Sequence, residues 1–441
     1  HFEFPMQNIR RRGLVLYCED EVSKMVWDSH LSCRDGVVEI IENRLGQTCL
    51  STFYGADGGL VRDVGWGTIF EEDGQKKISR GLWFLASSVP HVRCWQSPNT
   101  YGELREWAKG EGLDLDDIIG RNASTLRDGL EHYLAIGVPC SSIVGEQPIS
   151  LSWFVALMPP LANDKEFGEG GVHNRKVLKT VDRCKTFAPD VQVDWVGSVN
   201  CSKNQVFSRG SLCEELTDSK IALIGAGSLG SMVANSLIRG GVTDLCIFDS
   251  DSFGIGNVAR HHLRACDAGA DKATTLAAVL NATSPIAEVK GKSAIEEDNA
   301  AALCRFDIII DCSSSPFVRS ILDSLEGNQR LFVCSFGYSA EKVYISAATL
   351  SSFSVTDYLE AYGEMMREDA AAIKAKGIPW EGIGCWSPVF PAKNSDVSRA
   401  ASLVIDCVNC LMKKGETGVD YAYITERDTE GALTRIERIE L

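Results

Sequence analysis

Gly225, Gly227 and Gly230 stand in the run SKIALIGAGSLGSMVANSLIRGGVTDLCIFDSD, between an apolar strand-like stretch and a helix-like one. That placement lets the backbone turn tightly and approach a phosphate, whose charge then meets the positive end of the helix. Asp249 closes the second apolar run, where an acid can hydrogen-bond a ribose hydroxyl. So far the pattern indicates a nucleotide and leaves its kind open, because an NAD-dependent dehydrogenase uses the same cradle. The residues that follow discriminate. In FDSDSFGIGNVARHHLRACDAGADKA, Asn257, Arg260 and Lys272 come soon after the acid. A dehydrogenase has no general need for them, whereas a site that splits a nucleoside triphosphate needs donors and positive charge on the β and γ phosphates. Asp311, ending FDIIID, brings a carboxylate to the carboxyl edge of the sheet, where it could hold Mg²⁺ bridging those phosphates.

Such residues need a scaffold. KIALIG, DLCIFD, FDIIID, RLFVCSF and KVYISAATL read as strands buried on both faces, separated by segments long enough for crossover helices. That is the pattern of a doubly wound, mostly parallel, Rossmann-like α/β sheet. DVSRAASLVIDCVNCLMKKG reads as a helix closed by Lys413, Lys414 and Gly415, with a hairpin of YAYITER and TRIERIEL after it. The polar stretch from Val196 to Asp218 predicts a boundary, giving a first domain of residues 1–195 and a second of 196–441. In the first, strand-like GLVLYC, GLWFLASSV and LSWFVALMPP alternate with helix-like DGVVEIIENRL, TYGELREWAKGEG and ASTLRDGLEHYLAIG. This predicts a second α/β domain with no glycine loop of its own.

Composition narrows the partners. A formal net charge of −16 over 441 residues argues against nucleic acid or anionic lipid as the main ligand. No run approaches the length of a membrane span, and HFEFPMQNIRRRG lacks the order of a secretory signal. The 16 cysteines are scattered without repeating spacing, and Cys246, Cys312 and Cys334 fall in apolar runs. Reduced thiols in a cytoplasmic protein fit that pattern better than a disulfide framework. Only one CxxC exists near the end, Cys407 and Cys410 in an apolar helical stretch, which argues against a four-ligand structural zinc. His261 and His262 lack partnered ligand spacing and read as surface or phosphate-adjacent histidines.

Taken in order, the glycine run, Asp249 and Asp251, NVAR ending in Arg260, Lys272 and Asp311 resemble the ThiF/MoeB/HesA superfamily, the adenylating core shared with ubiquitin-activating enzymes. The resemblance spans residues 205 to about 413. It implies ATP and magnesium as cofactors, with Asp249 on the ribose, Asn257, Arg260 and Lys272 on the phosphates, and Asp311 on the metal. NQVFSRG resembles the family's N-terminal arginine segment, which implies that Arg209 reaches a triphosphate across a homodimer. Two departures stand out: His261 occupies a position where the family has glutamine, and the interval from Arg260 to Lys272 is about one residue short.

Cys385 lies in a glycine- and proline-rich loop, GIPWEGIGCWSPVFP. After an acyl adenylate has formed, a loop thiol is a natural second nucleophile, and its position resembles that of the family's thioester-forming cysteine. The expected function is ATP-dependent adenylation of a protein C-terminal carboxylate followed by thioester formation on Cys385. A sulfur-carrier adenylyltransferase for thiamin or molybdopterin synthesis and a non-catalytic nucleotide-binding scaffold are the alternatives. By architecture the chain resembles the bacterial ubiquitin-transferase-like proteins of CBASS-type antiphage operons. That likeness implies an activated tail belonging to a ubiquitin-like protein or a cyclic-oligonucleotide synthase (CD-NTase), a conjugating-enzyme-like domain upstream of His1, and an inactive adenylation-like role for residues 1–195.

Overall fold

The computed structural model describes residues 14–19, 34–43, 45–64, 79–93, 96–141, 150–163, 175–376 and 391–441. The chain forms two compact units, His1–Val206 and Phe207–Leu441.

In the first unit eight strands form one sheet: β1 (Leu14–Tyr17), β2 (Asp35–Glu42), β3 (Thr48–Gly55), β4 (Leu60–Asp63), β5 (Ser79–Leu85), β6 (His132–Cys140), β7 (Ser150–Met158) and β8 (Asp194–Asn200). Their order is β1-β8-β7-β6-β5-β2-β3-β4, mainly antiparallel, and a further parallel pairing of β1 with β3 closes the first seven into a ring. Two segments that read as helical are strands. DGVVEIIE is β2, where Val37, Val38, Ile40 and Ile41 are β-branched and the strand is paired on both edges. In ASTLRDGLEHYLAIG only Ala123–Thr125 makes a 3₁₀ turn; Gly129 turns with φ +85° and the rest enters β6. TYGELREWAKG is helical as its pattern predicts, with Thr100 accepting from the Glu103 N–H at its start and Leu104 and Trp107 buried.

The second unit is a sandwich of helices around an eight-stranded sheet. Strands β9 (Lys220–Ile224), β10 (Asp244–Phe248), β11 (Glu288–Lys292), β12 (Ile308–Asp311) and β13 (Arg330–Phe336) are parallel, in the order β11-β10-β9-β12-β13. Three antiparallel strands follow at the β13 edge, β14 (Lys342–Thr349), β15 (Val419–Arg427) and β16 (Leu433–Glu440). The five parallel strands thus run third, second, first, fourth, fifth. The winding reverses between β9 and β12, and a crevice for ligands opens at the carboxyl ends of that pair. Both faces are covered, which explains the continuous apolar runs: Ile308 and Ile310 enter one core with Leu237, Leu276 and Val404, while Ile309 enters the other with Leu322, Tyr358 and Tyr362. Each such fully buried aliphatic side chain contributes about 1.5–3 kcal/mol of apolar burial. The last helix, Asn394–Lys414, ends on Gly415 in the left-handed conformation, φ 71°.

Candidate active site

Three glycines in the loop after β9 serve three different needs. Gly225 has φ +91°, and a Cβ there would stand 2.7 Å from the Ser313 backbone, so the loop after β12 can lie against it only if the side chain is missing. At Gly230 a Cβ would fall 1.9 Å from the Gly225 carbonyl oxygen, so the helix could not start so close to the strand. At Gly227 nothing among the described residues lies within 4 Å of a would-be Cβ. Gly227 is also the N-cap of the helix Ser228–Arg239, and it supplies no side-chain cap. The first-turn N–H groups and the positive helix end therefore face a gap that an anion can enter.

The loop is held from two sides at its middle residue. Asp249, just past β10, accepts from the Ala226 N–H (2.6 Å) through one carboxylate oxygen and from the Asp251 N–H (2.8 Å) through the other. From the opposite direction His261 donates through Nε2–H to the Ala226 carbonyl (2.6 Å), and its Nδ1 accepts from the Leu263 N–H (3.0 Å). Leu263 N–H fixes the tautomer, since Nδ1 cannot carry a proton while accepting. Burial pushes the His261 pKa down to about 4, with the Lys272 and His262 charges acting the same way and the Ala226 bond opposing them. His261 is thus buried and neutral, where its sequence predicts a surface or phosphate-adjacent histidine.

Two of the candidate phosphate residues, Asn257 and Arg260, lie on the turn that His261 ends. Ile255–Arg260 is a 3₁₀ turn, with Asn257 Oδ1 accepting from the Gly254 N–H (3.3 Å) and Arg260 half-buried at its close. Lys272 opens the helix Lys272–Thr283, whose N-cap Asp271 accepts from the Thr274 N–H. Its ammonium lies 2.9 Å from the Asp251 carboxylate, with the lysine side chain 12% exposed and the aspartate 72%. So exposed a partner is a weak hold, leaving the lysine able to turn to a phosphate.

Asp311 ends β12 in register with Ile224, the residue before Gly225. It is 1% exposed; one oxygen accepts from the Ser313 N–H (2.9 Å) and the other is buried with no hydrogen-bond partner among the described residues. Burial raises its pKa, opposed by bonds from Ser313 and the Arg319 charge. A buried carboxylate oxygen lacking a donor is suited to a cation, and Mg²⁺ commonly takes one or two carboxylates and completes its shell with water and phosphate oxygens. Ser314, with φ 55°, strains the backbone just beyond.

Beside Asp249 lies a cavity of ≈ 360 Å³ lined by Phe248, Lys292, Ser293, Asn299 and Ala302, which no local pattern in the sequence marks. The Asp249 N–H donates to the Lys292 carbonyl, so the cavity opens next to the acid expected to hold ribose.

The structure brings Gly225, Gly227, Gly230, Asp249 and Asp311 to one sheet edge, with Asn257, Arg260 and Lys272 on the segment linked to it through His261 and Asp251. Arg209 sits exposed in the turn 207–210, joined to the glycine loop by no hydrogen bond among the described residues. Cys385 lies outside the described residues.

Known families match both units. The ThiF family profile covers residues 200–359, a span that holds every candidate nucleotide-site residue from Arg209 to Asp311. Residues 200–359 carry a ThiF family domain. The profile of the Cap2 central linker domain covers residues 1–201. Over 368 residues the chain is 30% identical to the ATP-dependent ubiquitin transferase-like protein Cap2 of Enterobacter hormaechei, spanning 81% of this chain and 60% of that protein's length. The ThiF portion is also 27% identical over 114 residues to the molybdopterin-synthase adenylyltransferase of Escherichia coli, covering 25% of this chain and 46% of that protein. Ubiquitin-like modifier-activating enzyme 5 of Drosophila erecta is 29% identical over 124 residues, covering 27% and 29%. Among solved structures, E. coli MccB with ATP aligns at a TM-score of 0.36 and 15% identity, covering 51% of this chain and 65% of that one. No helix among the described residues is long and apolar enough to cross a membrane.

Proposed function

We propose that this chain adenylates the C-terminal carboxylate of a protein substrate with Mg-ATP. The observation that carries the reading is the juxtaposition, at one switch point, of the clamped glycine loop and a buried Asp311 oxygen that no donor among the described residues reaches. A hydride-transfer site has no use for that second group.

ATP enters with its ribose on Asp249, its base toward the Phe248 and Lys292 cavity, and its phosphates along the start of the helix Ser228–Arg239. Asn257, Arg260 and Lys272 bind the β and γ phosphates, and Lys272 exchanges its exposed Asp251 partner for them. Asp311 would hold the magnesium, which supplies charge neutralisation to the phosphates. The substrate carboxylate oxygen attacks the α phosphorus, the bond from that phosphorus to the bridging oxygen breaks, and pyrophosphate leaves with the displaced electron pair. Fixed donors facing that developing charge act as preorganised stabilisers. Arg209 from a second copy adds a further cation in a homodimer. The Cys385 thiolate then attacks the acyl carbon and AMP leaves, giving a thioester. The activated tail belongs to a ubiquitin-like protein or a cyclic-oligonucleotide synthase, in a setting of antiphage defence, with a conjugating-enzyme-like domain as acceptor. The similarity to a protein named ubiquitin transferase-like and ATP-dependent supports these steps.

Asp311→Asn tests the assignment. Because burial raises the Asp311 pKa, the ionised form is disfavoured in the fold above the ordinary carboxylate range, and the neutral amide relieves that cost. The variant should melt no lower than the parent near pH 7.5 yet lose ATP–pyrophosphate exchange by about 100-fold or more. Full exchange in the folded variant would remove Asp311 from the site.

A further inference from the structure

We infer that His261 is a positioning residue that locks the glycine loop to the phosphate-binding segment, so that the two halves of the nucleotide site move as one. This rests on the reading of that loop as a nucleotide cradle. The imidazole is the only side chain seen to hold the Ala226 carbonyl among the described residues, and it uses both ring nitrogens on backbone: one on the loop, one on Leu263 within its own segment. A second stitch runs alongside it, from the His262 N–H to Ser231 Oγ (3.3 Å) in the helix that the loop begins. The ring is packed on Phe253 at 4.9 Å between centroids, which prevents it from swinging away. Ala226 is consequently fixed at both its N–H, by Asp249, and its carbonyl, by His261. The Gly227 N–H shares a planar trans peptide with the Ala226 carbonyl and points away from it, so the bond from His261 fixes the direction of that N–H.

The role needs a donor and an acceptor on one side chain, at the depth of an imidazole. Glutamine offers both; leucine fills the volume and offers neither. In His261→Leu the Ala226 carbonyl stays buried without a donor, a situation that opens local structure by a factor of about ten or more. The positive charges that act on the ring, Lys272 and His262, oppose its protonation, and Asp249 holds the N–H of the residue whose carbonyl His261 holds.

The test is hydrogen–deuterium exchange of the peptide 220–231 in the nucleotide-free full chain, followed by ATP titration of the same samples. His261→Leu is expected to exchange about tenfold faster across 225–228 and to bind ATP about tenfold more weakly, while His261→Gln stays within about threefold of the parent on both. Parental exchange in the leucine variant, or equal loss in both variants, overturns the inference. Should the leucine variant fail to fold, acid decides: ATP affinity of the parent should fall more steeply from pH 6 toward pH 4 than that of His261→Gln, which cannot titrate there, and identical profiles overturn the role. A parent that binds no ATP defeats the proposed function, and the exchange comparison still decides the fate of His261.

Discussion

At the scale of single residues, the glycines of the loop separate folding from binding. Gly230→Ala would drive a Cβ to 1.9 Å from a backbone oxygen, a clash no rotamer relieves, and Gly225→Ala combines a 2.7 Å backbone contact with a left-handed φ. Both should lower stability by about 2 kcal/mol or more, seen as an early unfolding transition in urea. Gly227→Ala meets nothing within 4 Å and should leave the urea midpoint nearly unchanged. Its methyl group would instead project into the space proposed for phosphate, so ATP should bind about tenfold more weakly by calorimetry. An unchanged affinity would mean that phosphates pass elsewhere. His261 adds a pH signature. Its folded pKa of about 4 lies below the ordinary 6.5, so its contribution to stability is fully present above pH 6.5 and declines as pH falls toward 4. Denaturation of the parent against His261→Gln over that window should show the parent losing more stability on acidification.

At the scale of elements, what was legible in the sequence was whatever repeats a physical requirement along the chain. The runs at β9, β10, β12, β13 and β14 are apolar over most of their length because both faces are covered, and no alternation is needed to recognise them. β11 carries no such signal because it is charged, EVKGK, with only Val289 buried. Its Gly291 has a reason: a Cβ there would stand 2.4 Å from the backbone at Ala273 and Thr274, the first turn of the helix that presents Lys272. Gly291→Ala should therefore shift Lys272 and destabilise the fold by about 1–3 kcal/mol, and a variant with parental stability and parental ATP affinity would refute that link. β2 and β6 read as helices because three- and four-residue apolar spacing occurs by chance in short strands, and only sheet partners remote in sequence decide between the two. The same remoteness hid the site's inner arrangement. Ala226, Asp249 and His261 meet only once the sheet has assembled, and nothing local in HHLRAC signals that the first histidine turns inward.

At the scale of the whole molecule, the chain divides after Val206, and each unit carries its own apolar cores and its own eight-stranded sheet. The proposed nucleotide machinery lies wholly in the second. The chain spans 60% of the Enterobacter relative's length. The proposed preference for a triphosphate rests on residues of the second unit alone. Arg260 and Lys272 gain little from NAD, whose pyrophosphate carries less charge, and calorimetry should show Mg-ATP binding at least about tenfold tighter. The proposed adenylation step uses Mg-ATP and a tail and needs no thiol. Cys385→Ala should keep pyrophosphate exchange and lose the thiol-sensitive adduct on a non-reducing gel; loss of both would place the thiol in the first step. Adenylation is tested most directly by mass spectrometry of a ubiquitin-like protein or cyclic-oligonucleotide synthase tail incubated with the full chain, Mg-ATP and pyrophosphatase. The expected product is a tail carrying one AMP at its C-terminal carboxylate, formed by Cys385→Ala and absent with Asp311→Asn. AMP-tail formation that persists undiminished in Asp311→Asn, or ATP cleaved only to ADP and phosphate with no AMP on any tail, would contradict adenylation at this site.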